Sequence, residues 1–452
     1  MLIVMAVHLT RSRFRALGAR QFSSLTIYNY RVYFLGQLVS LIGTWMQTTA
    51  QAWLVLKLSG SPLALGTVTT LQFLPITLFT LIGGAFADRV PKRRVLIITQ
   101  SLAMIQAFAL GVLVLTGRVE LWHVYALAFM LGTINAFDGP VRQAFGVELV
   151  GREQVVNAVA LNSSLFNVAR IIGPAVAGIA IATVGMTTAF MANAASYIGV
   201  LFAYAVMRPD EFFTVPKRPA VGNVLSQVRE GIAYSVKTPQ VLSLFILLAF
   251  LGTFGFNFTV LIPLVAEFVL GLGAKEFGML TSAMGIGSLV AALAMAAFGR
   301  LSVLRLMMAV AAFIALFVCI ALSHSYYLTA ALLLGLGVVS VLFSTTINTT
   351  LQITVPDELR GRVMSIFFLL FAGSTPIGGY LTGVLAEAFG VTTALLTMAA
   401  ICTVGLVVAI AYRHLSGLGW AAEPRPSAMM SQVPVDIPTT QAQAPSAVAA
   451  NK

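Results

Sequence analysis

Few residues in this chain are equipped for chemistry, and most of those sit in apolar surroundings. Arg170 is the one charged residue between Glu153 and Arg208. Its guanidinium offers five donors and a permanent charge, suited either to anchoring an anion or carboxylate or to bonding structural carbonyls and amides. Asp138 and Arg142 are spaced as an ion pair on one helix face, with Pro140 between them to interrupt that helix. Between Gly84 and Arg94, Asp88 stands among the cations Arg89, Lys92, Arg93 and Arg94. An acid so placed either forms a breakable latch or leaves the cations simply to set orientation. Gly84 before it is small enough to permit close helix contact. Gln37, Ser40, Thr44, Gln47 and Gln51 recur at intervals of three and four, which puts them in one polar stripe on a helix.

No other constellation points to catalysis. Cys319 and Cys402 lie in apolar runs and show neither a disulfide framework nor metal-ligand spacing. His123 and His324 are isolated, and no Gly-rich Lys-Ser loop is present to hold a nucleotide. A membrane-embedded enzyme would need clustered acids or histidines at a membrane face, and only the loop around Asp88 comes near. The expectation is a chain that is not an enzyme and uses no cofactor or metal.

The elements that position these residues follow from composition. The 452 residues are 59% hydrophobic and 9% charged, a ratio that fits hydrocarbon rather than water as solvent. Hydropathy predicts twelve spans, near 32–58, 66–87, 94–116, 121–141, 156–183, 187–207, 241–267, 277–299, 303–322, 327–350, 363–388 and 391–412. The expected organisation is an N-terminal segment 1–31, a six-helix bundle 32–207, a basic linker 208–240, a second bundle 241–412 and a disordered tail 413–452. The net charge of +12 is concentrated in short loops on one side, including Arg89, Lys92, Arg93, Arg94, Arg142 and Arg152. Lys57, Arg118 and Lys275 fall on the other. That bias places both termini in the cytoplasm and argues against a nucleic-acid partner. Glu153 and Glu358, Gly173 and Gly378, and Gly178 and Gly383 share one offset, a weak internal repeat.

Within these spans, Arg170 falls about 20 Å from the cytoplasmic start of span 5. A charge so deep costs about 2.5–3.5 kcal/mol on insertion scales, which marks it for function. Trp45, Gln47, Gln51, Asn167, Arg170, Asn257 and Asn348 are the residues expected to line a cavity, although interhelical bonding would equally explain the glutamines. Trp53 is either an aromatic platform or an interface anchor. Asp138, at the predicted cytoplasmic end of span 4, belongs to a gate or carries a coupling proton. Glu267 and Glu387 fall near outer ends, where a carboxylate can reach water. No acid is expected near any span centre.

The string from Gly84 to Arg94 resembles the signature loop of the major facilitator superfamily, Gly-x-x-x-Asp-Arg-x-Gly-Arg-Arg-Arg, with Pro91 in place of the second glycine. Gly173-Pro174-Ala175-Val176-Ala177-Gly178 is similar to the Gly-Pro-x-x-Gly-Gly motif of that superfamily's exporters. Gly43 to Gln47, Leu58 to Gly66 and Asn135 to Phe145 extend the likeness, which looks like the enterobactin-exporter-like branch over residues 25–412. The resemblance implies an all-α membrane protein of two six-helix bundles related by a pseudo-two-fold axis. It implies a monomer in the bacterial inner membrane that exports siderophores or other amphipathic small molecules by alternating access, with protons as coupling ion. Uptake or lysophospholipid flipping is the alternative for the same fold. The gating or coupling residues are then Gly84, Asp88, Arg89, Arg93, Asp138, Arg142, Gly173 and Pro174.

Overall fold

The computed structural model describes residues 22–87, 89–214, 224–298 and 302–419. Asp88, the pair Gly299 and Arg300, most of the N-terminal segment and the tail beyond residue 419 lie outside the described residues. Six helices form the first half: α1 (Tyr28–Ser59), α2 (Pro62–Ala87), α3 (Lys92–Leu115), α4 (121–150), α5 (152–183) and α6 (Met186–Val206). A linker helix, α7 (Val224–Lys237), leads to the second half. There α8 (Pro239–Val269), α9 (Ala274–Phe298), α10 (Val303–Leu322), α11 (Tyr326–Thr354), α12 (Asp357–Phe389) and α13 (Val391–Leu415) follow.

Ten helices among the described residues are long and apolar enough to cross a membrane. One of them is the continuous trace Leu121–Thr183, which Gly151 breaks with a φ of 69° into the two spans α4 and α5. A left-handed residue costs glycine nothing, so the chain can reverse there without a loop. The ten do not include α1, whose glutamines, serines and threonines lower its hydropathy but whose 32 residues exceed a bilayer's need. The fold is therefore an all-α membrane protein of twelve spans in two bundles.

The predicted end of span 4 at 141 and the loop carrying Arg142 are corrected. The helix continues through Pro140 to Val150, so Arg142 stands within the helix and not in a loop. Proline at 140 removes the donor to the Ala136 carbonyl. That carbonyl is met instead by α2 at Gly83, where an added methyl would overlap it. The close contact expected at Gly84 thus belongs to its neighbour, since Gly84 faces open space within 4 Å.

The two halves differ in regularity. α1 and α5 run unbroken on either side of their contact, where Gly173 packs against Ile42 and Trp45. Their repeat counterparts α8 and α12 are both interrupted. α8 contains π-turns at Leu251–Gly255 and Val265–Val269 and leaves helical geometry at Asn257 (φ −90°, ψ 44°). α12 is broken between Phe371 and Thr375, and Gly378 just beyond packs directly on Thr253 and Asn257 of α8. Such breaks survive in a membrane where neighbouring helices or a cavity satisfy the freed backbone.

Candidate functional site between the two halves

A cavity of about 170 Å³ lies where α1, α2 and α5 of the first half meet α8, α9 and α12 of the second. Trp45, Phe73, Phe256, Phe258 and Phe277 supply its aromatic walls, and Thr48, Thr49, Thr259, Thr281 and Thr375 its hydroxyls. Among the described residues, Arg170 is the one charged residue in the lining. Each aromatic side chain arrives for a local reason. Trp45 packs edge-on to Phe166 with ring centroids 5.6 Å apart, while Phe256 and Phe258 flank the non-helical turn of α8.

The sequence-predicted cavity residues divide. Trp45 and Arg170 line the cavity. Asn167, one turn before Arg170, accepts a bond of 3.1 Å from its guanidinium through Oδ1 and so orients it. Gln47 and Gln51 do not reach the cavity. The Gln47 amide donates to Gln106 (2.9 Å) and its oxygen accepts from Asn193 (2.6 Å), tying α1 to α3 and α6. Gln51 donates to Gln72 on α2 at 3.0 Å. Both are buried, so the stripe on α1 serves interhelical bonding, which satisfies amides that lipid would leave unpaired. Asn257 is buried against α12 and donates to the Thr253 carbonyl at 2.6 Å. Asn348 is bonded to Gln352 on its own helix.

Below the cavity, toward the linker end, Asp138 is 2% exposed. It lies about 20 Å from Gly151 by helical rise, well within the helix and not at its end as predicted. Its Oδ1 accepts from Thr99 (2.6 Å) and Gln100 (2.8 Å) of α3. Its Oδ2 accepts from Arg142, whose Nε is 2.8 Å away, and Arg142 also donates to Gln37 of α1 at 2.6 Å. Three side chains thus satisfy the buried carboxylate, and the arginine among them balances its charge. Tyr33, Phe145 and Tyr204 pack in the same core, with Tyr33 and Tyr204 rings 6.4 Å apart.

The basic string after α2 is engaged within the first half. Arg93 donates to the Tyr204 (2.8 Å) and Ala205 (3.2 Å) carbonyls at the C-terminus of α6, a favourable place for a cation. Lys92 pairs with Glu148 near the end of α4 at 2.7 Å. Arg89 is exposed, and the adjacent Asp88 lies outside the described residues.

At the far end, opposite the linker, residues that the sequence left idle join the halves. Lys57 at the end of α1 pairs with Glu267 of α8 at 3.0 Å. Glu387 of α12 accepts from the Ser61 hydroxyl (2.8 Å) and the Leu63 N–H (3.3 Å) at the start of α2. Both acids stay open to water in part, as expected from their terminal positions, and each in addition bonds the first half. Deeper, Thr70 donates to the Pro376 carbonyl (2.9 Å), Thr77 to that of Gly373 (3.2 Å), and Ser282 to that of Ile171 (2.7 Å). Glycines let these helices approach: a methyl at Gly66 would come within 2.6 Å of the Gly379 oxygen, and one at Gly178 within 2.7 Å of the Ala274 oxygen. Trp53 stacks on Phe277 across the same seam, centroids 5.8 Å apart, beneath the Lys57 ammonium. Gly173 and Pro174 are buried within this packing. The seal runs from the far end down to the cavity, on one side of it.

Solved structures share this architecture. A bacterial homologue of the human lysosomal transporter Spinster, in an inward-facing state, superposes with a TM-score of 0.65 at 15% identity, covering 86% of this chain and 96% of that one. The nucleoside transporter NupG gives 0.68 at 14%, covering 85% and 99%. Among relatives by sequence, the multidrug efflux pump Tap of Mycolicibacterium fortuitum is 29% identical over 84% of this chain and 95% of its own length. The staphyloferrin A transporter of Staphylococcus aureus is 26% identical over 82% and 94%. The enterobactin exporter EntS of Shigella boydii is 24% identical over 78% and 84%. The profile of the transmembrane secretion effectors, a branch of the major facilitator superfamily, matches residues 19–450. With that match across nearly its whole length, the chain belongs to the transmembrane secretion effector family of multi-pass transporters, not to an enzyme family.

Proposed function

We propose that this chain exports a small amphipathic molecule, of siderophore or drug type, from the cytoplasm by alternating access. The observation that carries the reading is a mixed aromatic and hydroxylic cavity between two bundles, sealed on its far side by contacts among the described residues. With the basic loops in the cytoplasm, the sealed end faces outward and the cavity is reached from the cytoplasm. The names of the relatives, which include a multidrug pump and a siderophore exporter, support the outward direction. Substrate entering against Trp45 and Phe256 would be released outward once the Lys57–Glu267 and Glu387–Ser61 contacts part and the linker ends close.

Proton coupling is assigned to Asp138. Protonation turns one carboxylate oxygen into a donor and removes the charge that holds Arg142. Arg142 is then free to move with α1 through Gln37, which ties the proton to the position of a helix that lines the cavity. Everted membrane vesicles carrying the chain test the reading. Addition of a substrate from a panel of dyes, siderophores and lysophospholipids should drive protons out of the energised vesicle as the compound enters. A panel in which no compound accumulates and no proton moves rejects proton-coupled export, and accumulation of lysophospholipid alone selects the flippase instead.

A further inference from the structure

The cavity contains a charge that the protein itself does not balance. Among the described residues no ion pair includes Arg170, whereas Arg142, Lys92 and Lys57 each have an acid. The Arg170 guanidinium bonds the neutral Asn167 oxygen, and its Nε is buried with no partner. No aromatic ring of the described residues lies beneath it as a cation–π partner, although aromatic rings line the cavity around it. A half-buried cation whose Nε is sealed from water without a partner is costly to hold, and a partner that brings the missing anion recovers part of that cost. Planar, forked donors favour an oxyanion with two oxygens. The walls formed by Trp45, Phe73, Phe256 and Phe258 favour a flat apolar body beside it.

Resting on the transport reading above, we propose that the cavity selects an organic anion, a carboxylate-class oxyanion joined to an aromatic body, and excludes lipophilic cations. The selection is made by Arg170, placed by Asn167. A cation would meet an unscreened like charge and no acid in the lining. The same oxyanion chemistry occurs on acyl chains and lipids, which lack the aromatic body.

The test is equilibrium binding of tritiated 2-naphthoate to the purified full chain, with 2-naphthamide, 2-naphthylmethylamine and octanoate as competitors. Naphthoate should bind at least about tenfold more tightly than its amide and its amine, and more tightly than octanoate. In Arg170→Gln the preference over the amide should fall to within about twofold, and Arg170→Lys should keep part of it, since a point charge replaces the fork. Equal affinity of wild-type protein for anion, amide and amine overturns the proposal, as does absence of naphthoate binding at millimolar concentration. Octanoate binding as tightly as naphthoate overturns the aromatic half of it. The wild-type comparison stands even if the Arg170 variants fail to fold. A chain that exports cationic dyes yet ignores naphthoate sinks the anion assignment and leaves transport intact. Selective naphthoate binding with no vesicle transport of any compound does the reverse.

Discussion

Two arginines in this membrane differ in one respect, and the difference separates structure from ligand. Arg142 is closed into a circuit with Asp138, Gln37, Thr99 and Gln100, so its charge is balanced within the protein. Replacing Asp138 by Asn keeps the shape but strands that charge, which for a buried pair costs about 3–5 kcal/mol. Asp138→Asn should therefore lower the thermal unfolding midpoint and abolish substrate-driven proton movement. Asp138→Asn combined with Arg142→Gln should regain most of the stability and none of the coupling. Proton movement persisting in the double variant would remove Asp138 from the coupling role. Spacing alone revealed the pair but not its depth. A proline at 140 reads as the end of a helix, and nothing local shows that Gly83 on another helix covers the carbonyl that proline leaves free.

At the scale of elements, adjacent glycines give a sharp contrast. A methyl at Gly83 overlaps backbone of α4, whereas one at Gly84 meets nothing within 4 Å. Gly83→Ala should destabilise the chain by about 1–3 kcal/mol and slow transport, while Gly84→Ala should leave unfolding and transport near wild type. Thermal unfolding and vesicle uptake of both variants decide it, and equal effects would place the motif's contact back at Gly84. The twelve spans were legible because hydrophobic length is a one-dimensional property. Which residues of the polar stripe on α1 face a cavity was not legible. Gln47 and Trp45 are two positions apart on α1, yet one bonds Gln106 and Asn193 while the other faces the second half. The breaks in α8 and α12 were equally hidden, since Asn257 and Gly378 leave no strong local signal until they meet. Their pairing gives the second half an interrupted seam where the first half has the unbroken α1 and α5, and bending during transport is expected there. Spin-label distances across Asn257 should vary more between states than those across its repeat counterpart in α1.

For the whole molecule, the far-end contacts set which side is closed. Lys57 and Glu267 are both partly exposed, with side-chain exposures of 51% and 26%, so their bond contributes at most about 1 kcal/mol. That is small against folding but about fivefold in a two-state equilibrium. Lys57→Glu places two acids together and should move the population toward a far-end-open state, as should Glu267→Lys. The exchanged pair, Lys57→Glu with Glu267→Lys, should return it. A cysteine at Thr281 in the cavity wall, in a chain with Cys319 and Cys402 replaced, reports the population through its labelling by a membrane-impermeant maleimide from the far side. Each single variant should raise that labelling rate about two- to fivefold, less at high salt, where the repulsion is screened. The rate should fall back in the exchanged pair. Glu387 gives an independent check, because Glu387→Gln keeps an oxygen for Ser61 and Leu63 but weakens charge-assisted bonds. Its effect should be smaller than that of a charge reversal and additive with Lys57→Glu, since the two contacts share no residue. Labelling that stays unchanged in all three single variants would mean that the glycine-lined packing deeper in the seam holds the far end shut without help from either acid.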